Sequence, residues 1–314
     1  MLIVPKETQM IDTTRRIDVV VLVEAIMSNP NIDPDNDGNP RIIERNGDKF
    51  AVISDSSIKR KIRDAAKEYH ESTLYVDHGD NLETTQAKYD RIENLLSDFW
   101  DSRVFGGVFP KYDKDGRLCS PINIPHAISL FPVRQVGLRM TRVAGYKQDE
   151  DKVKASQAKR AKAKFDDFEQ SEGDKERAEA ALRANMSDKK VIQHALFPIY
   201  LSFSPHLASK TGMTAKDLEI ALDSVISCWE HSKSSSRPDI RFRRMTMFQH
   251  SSARGDTHAY KLRERLEVTL KKDVEEPCTY EDYLINLNLE GLPAGITVKD
   301  FDDNTTGITA EMLA

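Results

Sequence analysis

Residues 54 to 70 carry one apolar stripe, Ile58, Ile62, Ala65, Ala66 and Tyr69, at the spacing of a helix with roughly 3.6 residues per turn. Ser54, Asp55 and Ser56 stand at its start with side-chain oxygens suited to capping. The element before it is of the other type. Residues 17 to 27, Ile-Asp-Val-Val-Val-Leu-Val-Glu-Ala-Ile-Met, read as a buried strand from their β-branched content and length. A polar loop, residues 28 to 41, leads away from the strand, and the helix follows. The first turns of the helix also hold Lys59, Arg60, Lys61 and Arg63. Two readings of these cations are open. They are a solvated helix face, or they join the helix N-terminal N–H groups in a phosphate cradle. Asp55 counts against the cradle, because a carboxylate competes for the same N–H groups.

The length of 314 residues allows one large or two ordinary domains, and a hydrophobic content of 39% fills a core. There is no run of 18 apolar residues and no secretory signal pattern, so the expected setting is cytoplasmic, with no membrane. Cys119, Cys228 and Cys278 are far apart and lack CxxC spacing, which reads as reduced thiols without a disulfide frame or a zinc site. The net charge of −5 argues against nucleic-acid binding until its distribution is read. Residues 273 to 314 hold ten acids against Lys299, a charge of −9, which leaves +4 on residues 1 to 272. A mildly basic body with an acidic end is compatible with an RNA groove on one face.

Asp33-x-Asp35-x-Asp37-Gly38 with Glu44 matches the calcium-loop pattern. That pattern needs a helix on each side, whereas a strand precedes this one, and Pro40 lacks an N–H. An Asx- and Pro-rich turn explains the residues. Residues 71 to 83 read as loop and 84 to 100 as one helix, with Ile92, Leu95, Leu96 and Phe99 on a face. Lys114-Asp115-Gly116-Arg117 reads as a hairpin turn. Residues 133 to 144 alternate as a strand, and 149 to 187 are charged and probable helix formers in composition. Within them, Lys152 to Lys164 holds six cations and no acid, and 166 to 179 holds seven acids, a pattern also consistent with a solvated insertion. Residues 195 to 205 are a strand in which Pro198 suggests an edge or a bulge. A Thr214-x-x-Asp217 cap opens a helix to 231 with Leu218, Ala221, Leu222, Val225, Ile226 and Trp229 inward. A loop of residues 232 to 238 leads to a strand at 240 to 250, whose alternation puts Arg241 and Arg243 on the face opposite Arg244. The tail from Lys271 is expected to be peripheral. No nucleophile–base pair, Walker motif or metal-spaced His/Cys cluster is present.

Several of these pieces stand in a shared order. They are Asn29-Pro30-Asn31 with Asp33-Pro34 and a loop end at Pro40-Arg41, then Lys59-Arg60-Lys61-Ile62-Arg63, Asp101-x-Arg103-x-Phe105-Gly106, and Thr141-Arg142-Val143-Ala144. The order resembles the backbone subunit of the type I-C CRISPR effector complex (Cascade), in the repeat-associated RNA-binding superfamily, over residues 15 to 270. Ser28 and Ile32 stand where that family has glycines, and Ser120-Pro121-Ile122-Asn123 matches its Gly-Pro-Val-Gln only in part. The βαββαβ order of the elements is that of a ferredoxin-like fold. The resemblance implies an α+β, RNA-recognition-motif-like palm over 17–270, after a lead-in at 1–16. Fingers are inserted at 71–132 and a thumb at 145–194, and an acidic segment follows at 271–314. It further implies a non-catalytic subunit, without cofactor or metal, that binds CRISPR RNA beside further copies of itself and other subunits of the complex. The guide then pairs with target DNA. The candidate RNA-binding residues are Asn29, Asn31, Arg41, Ser56, Lys59, Arg60, Lys61, Arg63, Arg103, Phe105, Arg142, Lys189, Lys190, Arg237, Arg243, Arg244 and His250. For Arg103, a salt bridge to Asp101 or Asp98 is the plain alternative. The aromatic signature for stacking bases on the sheet is absent. Two other functions remain open: a type III-like subunit that cleaves target RNA through a loop aspartate among Asp33, Asp35 and Asp37, and a general single-stranded RNA-binding module.

Overall fold

The computed structural model describes residues 11–36, 38–77, 79, 81–141 and 186–313. These divide into two compact units, one of residues 1–136 with 191–314 and one of residues 137–190. The second unit contains, among its described residues, the end of β8 (Gln135–Thr141) and the start of β9 (Met186–Phe203), two strands that pair.

The first unit is built on β1 (Ile17–Ser28), which pairs antiparallel with β9 on one side and with β10 (Asp239–Gln249) on the other. Val19, Val20, Val21, Leu22 and Val23 are each 0–3% exposed, so this strand is buried on both faces. Its unbroken apolar run is the consequence, at about 1.5–3 kcal/mol for each side chain fully removed from water. On one face Val19, Val21, Val23 and Ala25 meet α1 (Asp55–His70) and α6 (Ala215–His231) in the main core. On the other face Val20, Leu22 and Phe248 lie in a second core. That core also holds Leu262 of α7 (Ala259–Arg263), Leu266 of β11 (Leu266–Leu270) and Tyr283 of β12 (Tyr283–Leu287). The expected peripheral tail is therefore integral. β11 and β12 form a hairpin over the sheet, β13 (Thr297–Asp302) extends the sheet beside β10, and Phe301 is buried in the main core.

α1 starts as expected, with Ser54 Oγ accepting from Ser57 N at 3.3 Å. Its buried face is Ile58, Lys61, Ile62, Ala65 and Ala66. Tyr69 is 51% exposed rather than buried, its ring 5.9 Å edge-on from His231. α5 (Pro205–Thr211) leads into α6, which begins with the Thr214–Asp217 capping box and buries every residue expected of it. The single helix expected at 84–100 is instead α2 (Leu82–Ala87), α3 (Ile92–Asp98) and α4 (Trp100–Phe105). Asn81 Oδ1 caps α2, accepting from Glu83 N and Thr84 N. Phe99 is extended between α3 and α4, at φ −107° and ψ 110°. The break lets neighbours enter different cores: Phe99 joins Tyr75, Leu95 and Phe109, while Trp100 enters the main one.

β2 (Ile42–Arg45), β3 (Asp48–Ile53) and β7 (Ala127–Ile128) form a small sheet, and β3 leads directly into α1 along the chain. β4 (Gly107–Val108) pairs with β5 (Arg117–Leu118) around the expected turn, closed by Arg117 N donating to Lys114 O at 3.4 Å. β6 (Ile122–Asn123) pairs with the end of β9. Pro198 is opposite Leu22 inside the sheet, not on an edge strand. Beside it, β9 is met by an irregular segment, with Leu130 N donating to Leu196 O at 2.9 Å.

The β1–β10 register slips between Leu22 and Val23, which face Arg244 and Phe242. Arg243 is the extra residue of a bulge. This overturns the expected alternation. Arg241 is opposite Glu24 and Arg244 opposite Leu22, so both lie on the face away from α1 and α6, and Arg243 reaches Glu24 on that same face.

Candidate nucleic-acid interface

The loop after β1 is closed by its own backbone. Ile32 bridges to Pro40, Asp33 N donates to Asn39 O at 2.8 Å, and Arg41 N donates to Asn31 O at 2.9 Å. Asp33 O also accepts from Gly38 N at 3.2 Å, and Asp35 N donates to Asp33 Oδ1 at 3.4 Å, an Asx turn as expected. Several contacts anchor this loop to the rest, among them Arg41 O accepting from Val52 N at 2.9 Å. Asn29 N donates to Ser236 O at 2.7 Å, and Asn31 Oδ1 accepts from Ser54 N at 2.6 Å. Residues 29–41, the N-terminus of α1 and the turn at 234–237 are thereby one locus.

Lys61, on the buried face of α1, lies within electrostatic reach of Arg237 in that turn. It is 6% exposed, and among the described residues none accepts a hydrogen bond from its ammonium or forms an ion pair with it. Burial, and then the positive charge of Arg237, hold its pKa down to about 8. Asp64, whose charge also reaches Lys61, bonds Arg60 Nε at 2.8 Å. Cys228, the other group acting on it, is a fully buried thiol that desolvation pushes up to about 12. Arg237 is half-buried, and its Nε donates to the carbonyl of Ser232 at 3.2 Å rather than to a carboxylate. Arg41 reaches Asp33 at 3.6 Å, and its Nε is buried without a partner. Ser56 is exposed beside Ser54, their hydroxyls 3.2 Å apart.

The remaining named residues sit in other settings. Lys59 pairs with Asp55 at 3.3 Å, and Arg60 holds Asp64 and Val76 O. Arg63 donates to the buried Asp101 at 2.7 Å, with its guanidinium 4.8 Å from the Phe105 ring. Phe105 itself is 7% exposed, a member of the main core packed on Trp100. Arg103 grips Asp217 through two bonds of 3.0 and 2.8 Å, so its carboxylate partner lies on α6 rather than at Asp101 or Asp98. Arg243 binds Glu24 at 2.8 Å and Asp303 at 2.6 Å, and Arg244 binds Asp300 at 2.9 and 2.7 Å. His250 is fully buried, its Nε2 3.0 Å from Asp18 and its Nδ1 accepting from Asp256 N at 2.9 Å. Lys189 and Lys190 belong to the second unit. Arg142, the basic block Lys152 to Lys164 and the acidic block 166–179 lie outside the described residues.

Glu24 was not singled out from sequence, though a carboxylate inside an apolar strand is a signal. It is fully buried, and hydrogen bonds from His194 and Arg243 outweigh the burial that would raise its pKa, leaving it lowered. The sheet face that would stack bases in an RNA-recognition motif is covered here by the β11–β12 hairpin. Among the described residues no group of three or more His, Cys, Asp or Glu could hold a metal ion, and no helix is long and apolar enough to cross a membrane.

What the locus defines is a cationic site, formed by a loop, a helix start and a turn, in which Lys61 and Arg237 have no carboxylate ion-pair partner among the described residues. The family model for CRISPR-associated protein Cas7 matches residues 15–288, and the chain belongs to that family. Of solved structures, a chain described as "CRISPR RNA-guided surveillance complex, pre-nicking" is similar at 11% identity and a TM-score of 0.47, over 74% of this chain and 78% of that one. Another, "CRISPR RNA-guided surveillance complex", is similar at 13% identity and a TM-score of 0.41, over 74% and 68%. No curated protein matches.

Proposed function

We propose that this chain is a non-catalytic, type I-C-like backbone subunit that grips the phosphates of a CRISPR RNA at Lys61, Arg237 and Arg41. Further copies bind along the guide and present it, with other subunits of the complex, for pairing with target DNA. The observation that carries this reading is the buried ammonium of Lys61 beside Arg237, with no ion-pair partner or hydrogen-bond acceptor among the described residues. Most other named cations are neutralised inside the chain. A phosphate is the anion that would complete the site, and backbone contacts of this kind give affinity without sequence choice. A ferredoxin-like palm fits the strand order: β10, β1, β9 and β8 follow one another as fourth, first, third and second strands of βαββαβ, with α1 and α6 on one face. The thumb would then be the interval between β8 and β9.

The test is purification with and without guide RNA, reading mass and absorbance ratio, followed by salt titration of binding. Lys61→Gln and Arg237→Gln should each lower the slope of log K against log salt by roughly 0.7 on single-stranded RNA. Lys59→Gln and Arg244→Gln, whose partners are internal, should leave it nearly unchanged. The assembled complex should leave complementary RNA intact in the presence of divalent metal. Equal slopes for all four variants would remove the phosphate site from this locus.

A further inference from the structure

Among the described residues, Asn29 Oδ1, Arg41 Nε, Ser102 Oγ and Ser224 Oγ are buried polar side-chain atoms without a hydrogen-bond partner. Two of them fall on the loop that is bonded, through Asn29 N and Ser236 O, to the turn carrying Arg237. Asn29 is 2% exposed, and its amide cannot be turned over: Nδ2 donates to Gly38 O at 3.0 Å, and a flip would set two acceptors against each other. What is left unpaired is therefore an acceptor, and a phosphate brings no proton to it. Arg41 Nε is the complementary case, a donor that any lone pair would satisfy. A ribose offers both, since its 2′-hydroxyl gives one hydrogen bond and takes others, and that group distinguishes RNA from DNA.

We propose that Asn29 Oδ1 accepts a hydrogen bond from a 2′-hydroxyl of the strand held at Lys61 and Arg237, making this loop the element that selects RNA over DNA. The proposal rests on the phosphate-binding reading above. Oδ1 is buried in the free chain, so the Gly38 turn, which Asn29 holds through Nδ2, has to shift when the strand binds. Orphaned buried polar atoms are rare in folded proteins, and one aimed at a ligand group discriminates strongly against an analogue that lacks it.

The measurement is fluorescence anisotropy of the full chain with 5′-labelled strands of one sequence, as RNA, DNA and 2′-O-methyl RNA, at fixed salt. Wild type should bind RNA on the order of tenfold tighter than either analogue, the worth of one buried hydrogen bond. Asn29→Leu should weaken RNA toward the DNA value and leave DNA unchanged. Asn29→Asp keeps the acceptor and should retain the RNA-to-DNA ratio while weakening both strands. An unchanged ratio in folded Asn29→Leu overturns the proposal and leaves the phosphate site intact. Equal RNA and DNA affinity in wild type overturns it without any variant. If wild type binds none of the strands, the phosphate reading fails first and takes this one with it.

Discussion

Moving an ammonium out of water without an anion to meet it is costly, and Lys61 carries that cost in the free chain. A shift from 10.5 to about 8 corresponds to about 3 kcal/mol against folding at neutral pH. The sign follows from linkage. Between pH 8 and pH 10.5 the unfolded chain holds a proton that the folded chain releases, so folding stability should rise with pH across that window. Below it both states are protonated and the cost is constant. Binding of phosphate favours the charged amine, so RNA affinity should move oppositely and fall as pH rises above about 8. Lys61→Met should stabilise the free chain by about 1–3 kcal/mol in urea melts while weakening RNA binding. Stability and binding falling together would mean that Lys61 is an ordinary structural residue. From sequence, Lys59 and Arg63 stand out as the best phosphate pair of the four because they share a face at i and i+4, yet spacing on one helix says nothing of the partners each cation meets. Separation came from partners far along the chain: Asp101 for Arg63, and the turn at Arg237 for Lys61.

Among the elements, α1, α6 and β1 were legible because each is fixed by local chemistry, an apolar period together with a cap or a β-branched run. Their structural bounds differ from expectation by a residue or so at each end. The 84–100 stretch was not legible, since Phe99 and Trp100 serve two cores and only the tertiary arrangement says so. The bulge at Arg243 was hidden for a related reason: one extra residue reverses a face without leaving any mark on composition. Asp101 ties three elements. It is 1% exposed and accepts from Arg63 Nε at 2.7 Å, Tyr75 N at 2.7 Å and Val76 N at 3.2 Å. Asp101→Ala should lower stability by about 3–5 kcal/mol, because it leaves a guanidinium and two backbone N–H groups without their acceptor. Asp101→Asn keeps an oxygen and should lose less. A drop in denaturation midpoint with an unchanged m-value is the expected readout, and near-wild-type stability for Asp101→Ala would mean that water replaces the carboxylate.

For the whole molecule, the expected mixture of helices and strands is what the antiparallel sheet on β1 with its packed helices shows, yet the acidic tail misled. Its charge suggested a solvated appendage, whereas Tyr283, Ile296 and Phe301 supply apolar surface to two cores and Asp300 and Asp303 neutralise Arg244 and Arg243. Net charge over a segment does not report where its few apolar residues go. The interval between β8 and β9 tests the proposed assembly most directly. Residues 137–190 form a compact unit of their own, and the first unit keeps its cores among residues outside that interval. Replacing 149–185 by a short linker should therefore leave the thermal transition of the first unit within a few degrees of wild type, since the core side chains described for that unit are all kept. On the thumb reading, monomer binding to a short RNA through Lys61 and Arg237 survives, because that locus belongs to the first unit. Stepwise assembly along a full-length guide fails, because the segment proposed to reach the next copy is gone. Native mass measurement across a guide-length series separates these outcomes. Full-length assemblies from the deleted chain would show that contact between copies runs through another surface.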